Sequence, residues 1–303
     1  MTLPEKELPS GVTIPLVGYG VGTRWFKGYD NNAADKLDES LVESIVNAIE
    51  NGLTHLDTAE MYGTDKEVGE AIKRSGITRD KLFVTGKLLN GRADPEAAVN
   101  ASLSRLGLGY FDLYLIHFPS DNKDISDVDT WKTLVSLKKA GKLRAIGVSN
   151  FTTSQIEPLL KLEQETGDPD YHPDVNQIEF NPYLTAQTPD IVPFCKENNI
   201  QVEAYHPLGP IVHPPTGSDP LKPVLEELSA KYGKTPAQIL LKWTIAVGVV
   251  PVSTSSKSSR QKEYADIFDF DLDTEDVNLI TSTGKQVTVR IYAKQLYDKY
   301  PGH

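Results

Sequence analysis

Three polar residues close short apolar runs at a constant interval. "LTHLD" ends on Asp57, "LFVTGK" on Lys87 and "DLYLIH" on His117, thirty residues apart each time. The same step passes near Gly147 and reaches Gln177. Thirty residues is about the length of one strand-plus-helix unit, and a chain built from equal units places equivalent positions at equivalent points of its fold. Eight β-branched or apolar runs follow this rhythm, over 14–20, 53–57, 82–87, 112–117, 144–150, 174–180, 200–206 and 247–253.

Helical patterns fill the gaps. "DESLVESIVNAIENG" opens on Asp38 as cap and stops at Gly52. "DPEAAVNASLSRLGL" has Asp94 as cap, Pro95 in its first turn and Gly107 as its stop. Thr235 and Pro236 repeat that grammar, and one further helical pattern, 221–234, precedes them. Eight parallel units predict a closed (β/α)₈ TIM barrel with extra helices, with an open doubly wound sheet as the fallback. No linker composition interrupts the chain, so 1–303 reads as a single domain.

Of the 303 residues, 39% are hydrophobic and 24% charged, which is ordinary globular material. A net charge of −11 without any Lys/Arg-rich run argues against a nucleic-acid partner. No apolar stretch is long enough for a membrane span, and "MTLPEKELPSG" does not resemble a signal peptide. The lone cysteine, Cys195, cannot form an internal disulfide and reads as a helix core residue. The expectation is a cytoplasmic protein, a monomer or weak dimer, that acts on a small molecule.

In a barrel of this kind the active site lies where the C-terminal strand ends meet. Any one of Asp57, Lys87 and His117 could be a cap, a solvated amine or a core histidine. Together, with Tyr62 in the loop after the second strand, they form a proton-donating set. A free phenol holds its proton near neutrality, with a pKa of about 10. A neighbouring Lys⁺ eases its release, a carboxylate keeps that lysine charged, and a neutral imidazole orients the acceptor oxygen. The set contains no nucleophile and no metal cage, so reducing equivalents must come from a cofactor.

Asp57 and Tyr62 sit within "HLDTAEMYGTDKEVGEAI" and His117 within "DLYLIHFP". Together with "GVTIPLVGYGVGT", "AIGVSNF", "NQIEFNPY" and "AYHPLG", they make the chain resemble the aldo-keto reductase family along nearly its whole length. The resemblance implies an N-terminal β-hairpin and a barrel that binds NADPH. It implies Asp57, Tyr62, Lys87 and His117 as the catalytic tetrad, with Tyr62 as the acid. It also implies Ser149, Asn150 and Gln177 on the nicotinamide carboxamide and Tyr205 stacked on its ring. Gly22 and Thr23 would lie near the nicotinamide and Leu208 along the pyrophosphate path.

After the eighth run, "VPVSTSSKSSRQKEY" departs from the usual Pro-Lys-Ser pattern, with Val252 in place of that lysine. Ser255, Ser256, Lys257 and Arg260 still offer hydroxyls and charge to a 2′-phosphate, and Glu263 matches a position near the adenine. Tyr264 replaces an asparagine, His206 a serine, and Pro210 a small polar residue. Trp25, Phe26 and Phe118 are candidates to line the substrate mouth. Tyr183 and Trp131 are further candidates, Trp131 favouring the core. "VGYGVGTRWFKG" and "VVPVSTSSK" most resemble fungal conjugated polyketone reductases and α-keto amide reductases, which implies ketones bearing an adjacent carbonyl.

Three alternatives stay open. One is a general aldehyde or aldose reductase. Another is an NADPH-binding regulatory module of the same fold. The most remote is a metal-dependent barrel hydrolase using His55, Asp57, His117 and His206, which lacks a His-x-His pair and would find Lys87 where its cation belongs.

Overall fold

A computed structural model of the chain describes residues 3–27, 36–120, 122 and 124–297. Strands β1 (Glu5–Glu7) and β2 (Thr13–Pro15) pair antiparallel as a hairpin. The next eight are β3 (Gly18–Gly20), β4 (His55–Asp57), β5 (Phe83–Leu88), β6 (Phe111–Ile116), β7 (Leu143–Ser149), β8 (Val175–Glu179), β9 (Gln201–Tyr205) and β10 (Val250–Ser253). They run parallel in sequence order and close where β10 pairs with both β9 and β3. The expected barrel and N-terminal hairpin are both present.

One expected strand is two. The run 14–20 divides between β2 and β3. The amide of Leu16 still bonds to the carbonyl of Pro4, and only from Gly18 does the chain join the barrel. An unbroken apolar run reports burial but not which of two sheets it serves. The hairpin's Leu8, Val12 and Ile14 pack with Phe83, Leu113, Leu115, Ala145 and Val175 from the barrel interior and close its N-terminal end.

The helices begin where their caps predict. Asp38 accepts from the amides of Ser40 and Leu41 ahead of the helix Glu39–Glu50. Asp94 accepts from the Ala97 amide, and Gly107 ends that helix in the left-handed conformation at φ +67°. Thr235 and Gln238 form a reciprocal capping box. The extra helix, Leu221–Tyr232, precedes Pro236–Ala246. Trp131 is fully buried with its indole N–H on the carbonyl of Tyr171, and Cys195 is likewise core. Among the described residues, no helix is long and apolar enough to cross a membrane.

Helix Asp65–Ser75 crosses helix Pro95–Leu106 at Gly69, where a Cβ would stand 2.4 Å from the carbonyl oxygen of Leu106. A backbone atom cannot rotate away, so Gly69→Ala is expected to destabilise by about 1–3 kcal/mol. Urea unfolding would read this as a lower midpoint at unchanged slope. An unchanged midpoint would mean the two helices can part without loss.

The register explains how three equally spaced residues become one site. Asp57 pairs with Thr85, and Lys87 pairs with Leu115. The steps from Asp57 to Lys87 and from Lys87 to His117 therefore each gain two residues on the strand register. Lys87 stands further toward the mouth than Asp57, and His117, beyond the end of β6, further still.

Candidate active site

At the end of β4, Asp57 points into the barrel and its Oδ1 takes a hydrogen bond from Lys87 Nζ at 2.5 Å. The same ammonium donates to the Thr58 carbonyl at 3.0 Å and lies 5.2 Å from the centre of the Tyr62 ring. Tyr62 ends a short 3₁₀ turn, Glu60–Tyr62, that Gly63 closes at φ +69°. The turn is tied down from outside, because the Glu60 carboxylate accepts the amides of Leu89, Asn90 and Gly91 at 2.9–3.2 Å. Against the other side of Tyr62 lies Gly22, where a Cβ would come within 2.7 Å of the ring. The imidazole of His117 meets Tyr62 edge-on at 5.7 Å. All four residues expected to form the tetrad thus converge at the C-terminal end of the barrel.

Burial raises the Tyr62 phenol above its usual value, and the Lys87 charge acts against that rise. Burial alone would lower Lys87, but Asp57 and Tyr62 offset it and the net shift is upward, so the lysine stays charged. His117 falls well below the usual histidine value, first by burial and then by repulsion from Lys87 and Arg92. Its imidazole is neutral, and Nδ1 is buried without a partner among the described residues. The site therefore holds a protonated phenol beside a fixed cation, with a neutral ring able to hydrogen-bond an incoming oxygen.

The residues expected around a nicotinamide sit at the same mouth. Ser149 donates to the Gln177 carbonyl at 2.8 Å. The Asn150 amide donates to the His117 carbonyl and to Ser149 Oγ, and its Oδ1 receives Tyr205 and Gln187. Gln177 Nε2 bridges Asp57 and Glu203 at 2.9 and 3.1 Å. Asn150 and His206 hold left-handed backbone, at φ +64° and +58°, a strain that gathers at functional sites. Leu208 is buried ahead of the short helix Gly209–Val212. Thr23 follows Gly22 at φ +32°.

Beyond β10, Lys257 and Arg260 are exposed at the start of helix Ser258–Ala265, with Ser256 beside them. Among the described residues neither cation forms an ion pair. Ser255 is different: it is buried, its hydroxyl accepts the Lys257 amide, and its carbonyl receives Tyr19, Ser44 and Gln261. It anchors the loop from within. The Glu263 carboxylate accepts from Thr235 Oγ1 at 3.2 Å. Tyr264 is buried.

On the substrate side, Phe26 is 41% exposed and Trp25 is buried. Phe118 stacks on His117 at 5.1 Å. Tyr183 is buried, and its hydroxyl donates to Asp219 rather than facing the mouth. A contact absent from the sequence reading comes from the C-terminal segment. The Glu179 carboxylate accepts the amides of Ile291 and Tyr292 at 3.0 Å. Tyr292 then lies edge-on to Tyr205 at 5.8 Å. Residues 298–303 lie outside the described residues.

A sequence profile of the aldo/keto reductase family matches residues 20–285. The chain belongs to the aldo/keto reductase family. Among its relatives, the NADPH-dependent alpha-keto amide reductase of Saccharomyces cerevisiae is 40% identical over 97% of this chain and 95% of that protein. The glyoxal reductase of Bacillus subtilis is 40% identical over 93% and 94%. The crystal structure of Bombyx mori aldo-keto reductase AKR2E4 in complex with NADP superposes with a TM-score of 0.81 at 34% identity, covering 100% of this chain and 99% of that one.

This aldo/keto reductase is therefore an oxidoreductase that acts on carbonyls with a nicotinamide cofactor, the NADP(H) of its family. Its residues fit that group. Lys257 and Arg260, without ion-pair partners among the described residues, stand at the start of a helix beyond β10. Gln177 has committed its amide nitrogen to two carboxyl groups and keeps its oxygen as an acceptor.

Proposed function

We propose that this enzyme is an NADPH-dependent carbonyl reductase in which Tyr62 donates the proton, Lys87 and Asp57 ease that donation, and His117 orients the substrate oxygen. The carrying observation is the stacked arrangement of Asp57, Lys87 and Tyr62, with His117 edge-on to the donor. Bound NADPH supplies the hydride. As negative charge grows on the substrate oxygen, the His117 imidazole holds that oxygen toward the phenol. Tyr62 keeps its proton until the oxygen takes it, and the Lys87 ammonium then stabilises the phenolate. Asp57 keeps Lys87 charged and in place inside a buried site. Tyr62 afterwards recovers a proton from solvent. Ser149, Asn150, Gln177 and Tyr205 hold the nicotinamide, Gly22, Thr23 and Leu208 border the cofactor, and Ser256, Lys257 and Arg260 hold the 2′-phosphate, with Ser255 and Glu263 supporting that end.

The substrate class is a ketone with an adjacent carbonyl, such as ketopantoyl lactone, isatin or a diketone. An adjacent carbonyl raises electrophilicity without asking more of Tyr62. Trp25, Phe26 and Phe118 give the mouth aromatic character, which suits a flat ring better than a polyol whose hydroxyls would need new partners. The names of two relatives, an alpha-keto amide reductase and a glyoxal reductase, support the same class. A steady-state panel with NADPH tests it. Ketopantoyl lactone and isatin are expected to exceed a simple methyl ketone and xylose at least about tenfold in kcat/KM, or roughly 1.4 kcal/mol in the transition state. Parity with xylose or the simple ketone would refute the substrate class and leave the carbonyl reductase standing.

A further inference from the structure

Beneath the Asp57–Lys87 pair the barrel buries a second carboxyl group, Glu203 of β9, with no exposed surface. Its Oε2 accepts from Gln177 Nε2 at 3.1 Å, and the same nitrogen donates to Asp57 Oδ2 at 2.9 Å. One amide thus spans two carboxyl groups. Its Oε1 has no hydrogen-bond partner among the described residues, and the nearest ring nitrogen, His55 Nε2, is 3.8 Å away and bonded to Thr85 Oγ1. The titratable groups facing Glu203 are Asp57 and His55 from β4 and Lys87 from β5. Only one of these is a cation, and Asp57 already holds it.

We propose that Glu203 is a positioning residue for proton donation: its neutral carboxyl, tied to Asp57 through Gln177, keeps Asp57 and Lys87 as the sole charge pair beneath Tyr62, and its ionisation slows reduction. This rests on Tyr62 as the donor. Two carboxylates served by one buried ammonium cannot both ionise cheaply. Burial first, then the neighbouring Asp57, pushes Glu203 up to about 8, while burial brings His55 down to about 4, so neither adds charge near neutrality. When Glu203 releases its proton to solvent, a second anion faces Lys87. That anion disfavours the phenolate Tyr62 must form, and it draws the Gln177 amide away from Asp57.

The test compares wild type with Glu203→Gln, which keeps shape and an acceptor oxygen but carries no charge at any pH. With NADPH and isatin saturating, the wild-type kcat is expected to step down to a lower plateau with its midpoint near pH 8. E203Q, whatever its own plateau, should lack that step, and so should Glu203→Leu, the second uncharged variant. Thermal unfolding gives a readout independent of turnover. A carboxyl raised in the folded state stabilises below its unfolded value of about 4.5, and that contribution is lost as pH rises through about 8. The melting midpoint of E203Q should therefore gain on wild type across that window. A step retained in both variants would overturn the proposal. So would a step lost while the melting gap stays flat, because Glu203 would then not be the titrating group. Tyr62→Phe, run alongside, separates the two claims: if it turns over freely, the donor assignment fails rather than the role of Glu203.

Discussion

Tyr62→Phe is expected to lower kcat for ketone reduction by about 10²–10⁴-fold, the usual worth of one positioned proton donor, while NADPH affinity stays near wild type. The ring keeps its contacts, edge-on to His117 and close against Gly22, so the change removes one hydroxyl and little else. No neighbour can replace it. The Lys87 ammonium is committed to Asp57 and the Thr58 carbonyl. His117, lowered by burial and by two nearby cations, carries no spare proton near neutrality. Single-turnover reduction at saturating NADPH measures the chemical step, and a fluorescence titration measures cofactor affinity. Turnover within tenfold of wild type would show that another group protonates the substrate oxygen.

The second large effect concerns the cofactor's distal end. Replacing Lys257 and Arg260 together with glutamine is expected to weaken NADPH binding by about 3 kcal/mol, roughly a hundredfold, taking the low end of charge-assisted hydrogen bonds for two exposed groups. NADH, with no 2′-phosphate, should lose less than about threefold by the same accounting. Both side chains are exposed, so the NADPH advantage of wild type should also shrink as salt screens them. Dissociation constants for the two cofactors, for each protein and at two ionic strengths, decide the matter. Equal losses for NADPH and NADH would remove the phosphate from this loop.

Much of this fold could be read from the chain because each unit repeats its own signals. The caps at Asp38, Asp94 and Thr235 act locally, and each helix starts where its cap predicts. The convergence of Asp57, Lys87 and His117 was legible for the same reason: three polar residues recur at equivalent strand ends, and their spacing survives folding. Glu203 was not. In "IQVEAYH", alternation places Gln201, Glu203 and Tyr205 on one face, and a polar face of a strand ordinarily reads as the solvent side. Here that face is buried at Gln201 and Glu203, with Gln177 of β8 bonded to Glu203 and Asn150 and Gln187 to the Tyr205 hydroxyl. The Glu179 clamp on Ile291 and Tyr292 joins residues 112 and 113 positions apart, with no local pattern to announce it. The split of 14–20 escaped because burial is common to both strands it contains.

The rise from Asp57 to Lys87 to His117 bears on how such a site could be transplanted. Shifting one strand by two residues preserves which side chains face inward, so the core would tolerate it and the motif would be intact in the sequence. The reactive group would nonetheless move by about 6–7 Å along the strand, two residues at the rise of an extended chain. That is farther than the 5.2 Å between the Lys87 ammonium and the Tyr62 ring. A chimera assembled from barrel segments could therefore fold, carry all four residues and be inert. Loop lengths between segments, which fix the pairing of Asp57 with Thr85 and of Lys87 with Leu115, need to be conserved with the motifs themselves.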